Sequence, residues 1–225
     1  MVDLSLDIAK AGLSIGAIKL SPASPFQWAS GYFMPIYNDN RMFLFHPAHR
    51  ATIKQAFLAI AESESLKFDV IGGTSTAGIP WAAFFADALD KPMIYIRDKP
   101  KDHGLKNQIE GIDANAGLEG ARVIVIEDLI STGGSSVAAV QAVRNAGGMV
   151  EACISIFNYG LDKAVQEFEA LDPPCRVLSL LTYDTLLQAA IETNYLEQDQ
   201  VDVLQEWRAN PFNWGENHGF PKVEK

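Results

Sequence analysis

The sequence is poor in several things, and each shortage narrows what the protein can be. It holds two cysteines, Cys153 and Cys175, in 225 residues. Their spacing fits no metal-ligand pattern, and both lie in or beside apolar strand-like runs, so buried free thiols in a reducing, cytoplasmic setting are expected. No apolar run approaches the length of a membrane span. The N-terminus lacks a basic segment followed by an apolar one, so no secretory signal is expected. Positive charge is scarce, with 18 Lys and Arg against 28 Asp and Glu and a net charge of −10. That balance argues against nucleic acid or an anionic membrane surface as the partner. Neither the dinucleotide pattern G-x-G-x-x-G nor the P-loop pattern G-x-x-x-x-G-K-[ST] occurs. There is no internal repeat, no Ser/His/Asp grouping and no metal-ligand cluster. His46, His49 and His218 are scattered and read as structural or surface residues.

What remains is the composition of a globular protein, 48% hydrophobic and 20% charged. The length suits one α/β domain spanning residues 1–225, in which 1–45 form a small hood lobe. Residues 4–15 read as a first helix. Residues 26–45, rich in aromatics and turn formers, read as short strands and turns. Trp28, Tyr32, Phe33 and Tyr37 there are of a kind that stacks on a base, although aromatics in such a lobe more often pack in the core.

A regular alternation follows. Helical spacing predicts helices over 49–63, 79–89, 136–145, 162–170, 182–191 and 198–208. Runs of β-branched and aromatic residues predict strands over 68–71, 93–96, 123–126, 150–157 and 177–180. Residues 98–120 contain a long polar stretch without a period, and the tail is irregular. Strand and helix alternating in this way imply a mostly parallel sheet with helices on both faces. Ligands of such sheets bind beyond the C-terminal strand ends. Three loops follow strands and should gather at that edge.

The most informative is 127–136. A buried strand ends in two acids, Glu127 and Asp128, and then Leu129, Ile130, Ser131, Thr132, Gly133, Gly134 and Ser135 lead into a helix. Small residues let backbone N–H groups close on an anion, and the helix start adds its partial positive charge. Successive strand residues point to opposite faces. The two acids therefore cannot serve one group unless the strand is ending there. One is expected to reach a ligand while the other orders the loop or approaches a metal. A plain strand-to-helix turn capped by serine is the simpler alternative. The second loop, Thr74-Ser75-Thr76-Ala77-Gly78, has similar composition. The third carries Arg97, Lys99, Lys101, His103 and Lys106, opposed by Asp98 and Asp102. A charge run is usually a solvated loop. A long basic loop at a sheet edge also suits a lid that neutralises a leaving group whose negative charge grows.

Taken together, these residues resemble the type I phosphoribosyltransferases. The stretch Ile126-Glu127-Asp128-Leu129-Ile130-Ser131-Thr132-Gly133-Gly134-Ser135 is similar to that family's motif for phosphoribosyl pyrophosphate (PRPP). Within the family the chain looks most like the orotate phosphoribosyltransferases. Four further stretches carry that likeness: Ser30-Gly31 with Pro35 through Arg41, Thr76 through Pro80, Tyr95 through Gly111, and Ile156 through Gly160. The resemblance spans about residues 10 to 190. Many members carry Ser-Gly-x-Lys-Ser-Pro where this chain has Ser30-Gly31-Tyr32-Phe33-Met34-Pro35, and many have a basic residue at the place of Asp98. Some have lysine at the place of Ala77.

The resemblance implies a Mg²⁺-dependent pentosyl transfer. Orotate attacks C1 of PRPP through an oxocarbenium-like transition state and yields orotidine 5′-monophosphate and pyrophosphate, a step of pyrimidine biosynthesis. It implies that Asp128, with Glu127, meets ribose hydroxyls. The loop from Leu129 and Ile130 through Ser131, Thr132, Gly133, Gly134 and Ser135 would hold PRPP, with Ser131 also near orotate. Residues 74–77 would run along the pyrophosphate. Arg97, Lys101 and His103 would belong to a loop, 98–113, shared between the subunits of a homodimer, with Lys101, His103 and Asp128 carrying the chemistry. The metal would be held mainly through PRPP rather than by a dedicated protein cage. Transfer to another base, or PRPP sensing without transfer, are the alternatives, and an intact basic loop speaks against the sensor.

Overall fold

The computed structural model describes residues 4–99, 108–113 and 116–224. In chain order the elements are α1 (Ser5–Ser14), β1 (Ile18–Leu20), β2 (Phe26–Gln27), β3 (Phe33–Met34) and β4 (Ile36–Asn38). A 3₁₀ turn (Asn40–Phe45) leads into α2 (Pro47–Ser63), β5 (Val70–Thr74), α3 (Gly78–Leu89), β6 (Met93–Ile96) and β7 (Ile109–Glu110). Then come β8 (Arg122–Ile130), α4 (Gly134–Asn145), β9 (Met149–Asn158), α5 (Asp162–Glu169), β10 (Arg176–Thr182), α6 (Tyr183–Glu192), α7 (Gln198–Ala209) and α8 (Pro211–Asn217).

The main sheet runs β10-β9-β8-β5-β6-β7. All its pairings are parallel except β6 with β7. The strand alternation expected from the apolar runs is therefore a wound parallel sheet. Residues 123–126 are buried on both faces of the central strand β8. Ile124 and Ile126 join Ile71, Ile154, Trp81 and Phe85 in the core under α1, α2, α3 and α6. Val123 and Val125 join Val140, Val143, Ala164 and Phe168 under α4 and α5. A strand covered on both sides reads as a continuous apolar run rather than an alternation, because neither face meets water.

Three expectations change. β8 does not stop at Ile126 but runs through the acid pair to Ile130, because β9 extends equally far and pairs Glu127 with Ser155, Leu129 with Phe157 and Ile130 with Asn158. α4 begins at Gly134 rather than at Ser136. The tail is not wholly irregular: Pro211 opens a short helix at its first turn, where its missing N–H costs nothing. In the polar stretch, the described residues Ile109 and Glu110 pair antiparallel with Ile96 and Tyr95.

The N-terminal strands form two small antiparallel sheets, β1 with β4 and β2 with β3. Their aromatics are used in packing. Trp28 lies 5.6 Å from Tyr159 and 6.4 Å from Trp207 between ring centroids. Tyr32 meets Phe212 edge-on, Phe33 tilts against Phe220, and Tyr37 is exposed. Trp207 is fully buried, touches Tyr159 and Tyr183, and donates its indole N–H to Met34 Sδ at 3.0 Å. Both cysteines are buried and free, as expected. No helix among the described residues is long and apolar enough to cross a membrane.

Trp207 joins the C-terminal helices to the N-terminal strands. Trp207→Ala should lower the unfolding free energy by about 3–5 kcal/mol, measured by urea denaturation. A loss well under about 1 kcal/mol would show that the two parts do not depend on this ring.

Candidate active site

The C-terminal ends of β5, β6 and β8 open onto a cavity of about 420 Å³. Thr74 to Ala77, Ile96 to Asp98, Glu127 to Leu129, Ser135, Ala138 and Ala139 line it. Residues from all three loops thus meet at the edge the topology predicted. Lys101 and His103 lie outside the described residues.

Strand alternation gives the two acids different partners, while their carboxyls remain in contact. Glu127 has the parity of Val123 and Val125 and faces α4. Its Oε2 accepts from Ser136 Oγ at 3.0 Å, and its Oε1 accepts from Thr74 Oγ1 at 2.7 Å and from the Asp128 amide at 3.0 Å. One carboxyl therefore ties β5, β8 and the first turn of α4 together, and it is 6% exposed. Asp128 has the opposite parity, toward the N-terminal strands. Its carbonyl accepts from Asn40 Nδ2 at 2.7 Å, and the Arg41 guanidinium acts on its carboxylate. Arg41 is itself held by Asp39, with Nε 2.6 Å from Oδ1.

Burial raises the pKa of both acids. Desolvation is the main cause for each, and the neighbouring Asp128 charge adds to the rise at Glu127. The more buried Glu127 is the better place for a proton. At Asp128 the contact with the Glu127 carboxyl, and after it the Arg41 charge, offset part of the rise. Of the two alternatives raised by the sequence, Glu127 orders the loop, and Asp128 lines the cavity beside it.

Local packing enforces the arrangement. Gly78 opens α3 so close to its neighbours that a Cβ there would lie 2.3 Å from Thr74 Oγ1 and 2.5 Å from the Ile126 carbonyl oxygen. Only glycine lets Thr74 reach Glu127. After β8, residues 131–133 turn the chain into α4, with Gly133 at the capping position and no side-chain cap. The first N–H groups of a helix have no intrahelical acceptor. Those of α4 are thus presented beside exposed Ser135, which suits an anion.

The other expected residues fall as follows. Leu129 and Ser135 line the cavity, and Ser131 and Thr132 are half-buried in the turn. The Ile130 side chain is in the core and its carbonyl accepts from the Tyr159 amide at 3.1 Å. Arg97 is half-buried, with Nη1 3.4 Å from Glu110 Oε1. Sequence reasoning missed Ser136 and Asn40 as supports of the acid pair. It also gave Thr74 to a ligand, whereas its hydroxyl serves Glu127. A hydroxyl after a strand looks the same in either role. The partner, 53 residues away, appears only when β5 and β8 lie side by side.

These features, a parallel sheet with an acid pair at the end of β8 leading through a small-residue turn into a helix, define a phosphoribosyltransferase domain. The family model for that domain matches residues 42–186. The chain belongs, within it, to the orotate phosphoribosyltransferase family. It is 46% identical to an orotate phosphoribosyltransferase of Enterococcus faecalis over 215 residues, 96% of this chain and 100% of that one. It is 43% identical to one from Listeria monocytogenes over 214 residues, 95% of this chain and 100% of the relative. Among solved structures, the orotate phosphoribosyltransferase of Aeropyrum pernix superposes with a TM-score of 0.69 at 26% identity, covering 84% of this chain and 99% of that one.

The raised pKa of Glu127 has a signed consequence. An acid whose pKa rises on folding stabilises the fold while protonated. That contribution is complete below its ordinary value and is lost as pH climbs through the raised one. Glu127→Gln stays neutral and keeps an acceptor for Thr74 and the Asp128 amide, while Ser136 Oγ can turn to accept from the new amide. The variant should raise the Tm of ligand-free protein by several degrees near about pH 8 and by little near about pH 5. Equal shifts at both would show that Glu127 is not the titrating group.

Proposed function

We propose that this protein transfers the phosphoribosyl group of PRPP to orotate, forming orotidine 5′-monophosphate and releasing pyrophosphate. The observation that carries the reading is the acid pair at the end of β8: a buried Glu127 locked to Thr74 and Ser136, and Asp128 beside it at the cavity wall. Nearly full-length likeness to orotate phosphoribosyltransferases supports the choice of base.

In this reading the 5′-phosphate sits on the turn of residues 131–135 at the start of α4, and Ser131 lies near the orotate. Asp128 accepts hydrogen bonds from the ribose hydroxyls, and its negative charge favours the oxocarbenium character that develops at C1. Residues 74–77 run along the pyrophosphate, and Arg97 adds positive charge at the same wall. Water is kept from C1 when the loop 98–113 closes, and Lys101 and His103 on it meet the departing pyrophosphate. That loop belongs to the neighbouring subunit of a homodimer.

The donor set suits Mg²⁺ carried in by the substrate. Asp128 offers hard carboxylate oxygens at the cavity, and the described residues hold no cluster of three or more potential ligands. Such an ion, bound with PRPP, supplies positive charge to the pyrophosphate oxygens. The buried free thiols support a cytoplasmic setting.

Purified protein with PRPP, Mg²⁺ and orotate should deplete orotate absorbance. Turnover of a different base instead would sink the choice of orotate, and PRPP binding without any turnover would point to a sensor. Lys101→Ala should lower kcat by about 10²–10³ with little change in PRPP affinity, and an unchanged kcat removes Lys101 from the chemistry. Mixing Lys101→Ala with Asp128→Ala protein should restore activity in mixed dimers. No gain over either parent would rule out the shared loop.

A further inference from the structure

Among the described residues, the buried polar side chains are Asn40, Thr74, Glu127, Ser136 and Ser155. Thr74, Glu127 and Ser136 form the hub behind the acid pair, and Ser155 bonds Ser179 on the next strand. Asn40 belongs to neither set. It is 1% exposed and lies on the N-terminal lobe, yet its Nδ2 donates to the main-chain carbonyl of Asp128, 88 residues away, at 2.7 Å. Its Oδ1 is buried without a hydrogen-bond partner among the described residues. A buried amide with one unpaired end is a poor filler, and an apolar side chain of the same shape would pack there with less penalty. The bond to Asp128 is what the amide contributes.

The segment that presents Asn40 is well anchored. Asn38 pairs with Ile18 in the β1–β4 ladder, and the Asp39 amide donates to the Ala17 carbonyl at 2.7 Å. Asp39 then caps the 3₁₀ turn by accepting from the Arg41 amide, and Arg50 of α2 donates to the Leu44 carbonyl at 2.6 Å. Asp128 needs such an outside hold. The pairing of β5 with β8 ends at Gly73 and Ile126, so past that point β9 is the strand partner that remains among the described residues. Asn40 does not line the cavity, whereas Asp128 does. Anything Asn40 does for a ligand there passes through Asp128. The carbonyl and the side chain of Asp128 share one Cα, so a fixed main chain limits the directions open to the carboxyl.

We infer that Asn40 is a positioning residue for the transfer: by holding the Asp128 main chain, it sets where the Asp128 carboxyl stands at the cavity wall. The inference rests on the proposed contact of Asp128 with the ribose. A shift of about 1 Å in such a group costs up to about a hundredfold in rate. PRPP affinity, by contrast, rests in this reading on the turn of residues 131–135 and on the 74–77 loop, with which Asn40 shares no hydrogen bond.

The test uses the full-length chain carrying Asn40→Leu, which keeps the shape and removes the donor, with Asn40→Ala as a second variant should the first fold poorly. Thermal unfolding establishes which are folded. The kcat with orotate should fall about tenfold, while Kd for PRPP stays within about twofold. Placed on Asp128→Asn, the same substitution should change kcat by less than about twofold, because the group it positions is already gone. An unchanged kcat in a folded variant would overturn the inference. A matching rise in Kd for PRPP would do so too, since it marks a general scaffold, as would a full tenfold loss on top of Asp128→Asn. An Asp128→Asn protein as active as wild type defeats the proposed ribose contact instead, and that result is seen before any Asn40 variant is made.

Discussion

The buried carboxyl of Glu127 is the constraint on which the site depends. It accepts hydrogen bonds from β5, from β8 itself and from α4. Ionised, it would pay a large desolvation penalty beside a second acid, and three donors offset only part of it. Protonated, it is a neutral hub whose partners fix where β8 ends and where α4 starts. The geometry of the anion-binding turn follows from that hub, because both ends of the turn are anchored to one side chain. Gly78 belongs to the same arrangement, since any side chain there would push Thr74 away.

Topology supplies the rest. Placing β8 between β5 and β9 puts the loops after β5 and β8 side by side, and β6 brings Arg97 to the same wall. The N-terminal strands close the far side through Asn40 and Arg41. Two classes of contact thus converge on Asp128 from opposite faces of one strand. From α4 comes a hydrogen-bonded hub, and from the N-terminal lobe come an amide and a cation. The period-2 alternation of a single strand suffices to sort them.

Much of this was legible in the sequence. The apolar run 123–126 read as a central strand because both of its faces are covered, and the Gly/Ser/Thr turns read as loops at one edge because they follow strands. That the two acids take different partners was legible for the same reason of alternation, but the contact between their carboxyls was not. What escaped has a common cause. The extension of β8 to Ile130 is set by the length of β9, a tertiary pairing that Leu129 and Ile130 do not announce. Thr74, Ser136 and Asn40 became supports of the acid pair only through contacts between distant segments. The tail read as irregular because its Trp, Phe and Gly residues have no helical period of their own. Their order comes from the face formed by Tyr32 and Phe33.

A net charge of −10 looks ill suited to a substrate as anionic as PRPP. The site answers locally. Burial pushes the pKa of Glu127 up to about 7, which lowers the negative charge of the acid pair at the cavity. Against that charge stand Arg41, Arg97 and the unpaired N–H groups at the start of α4. None of these needs a lysine, and backbone donors cannot titrate or swing away. Most acidic residues elsewhere lie on the exposed surface, where salt screens them within about a Debye length of 8–10 Å. The raised pKa of Glu127 is therefore more than a response to burial: the proton it favours lowers the negative charge at the place where an incoming polyphosphate would feel it unscreened.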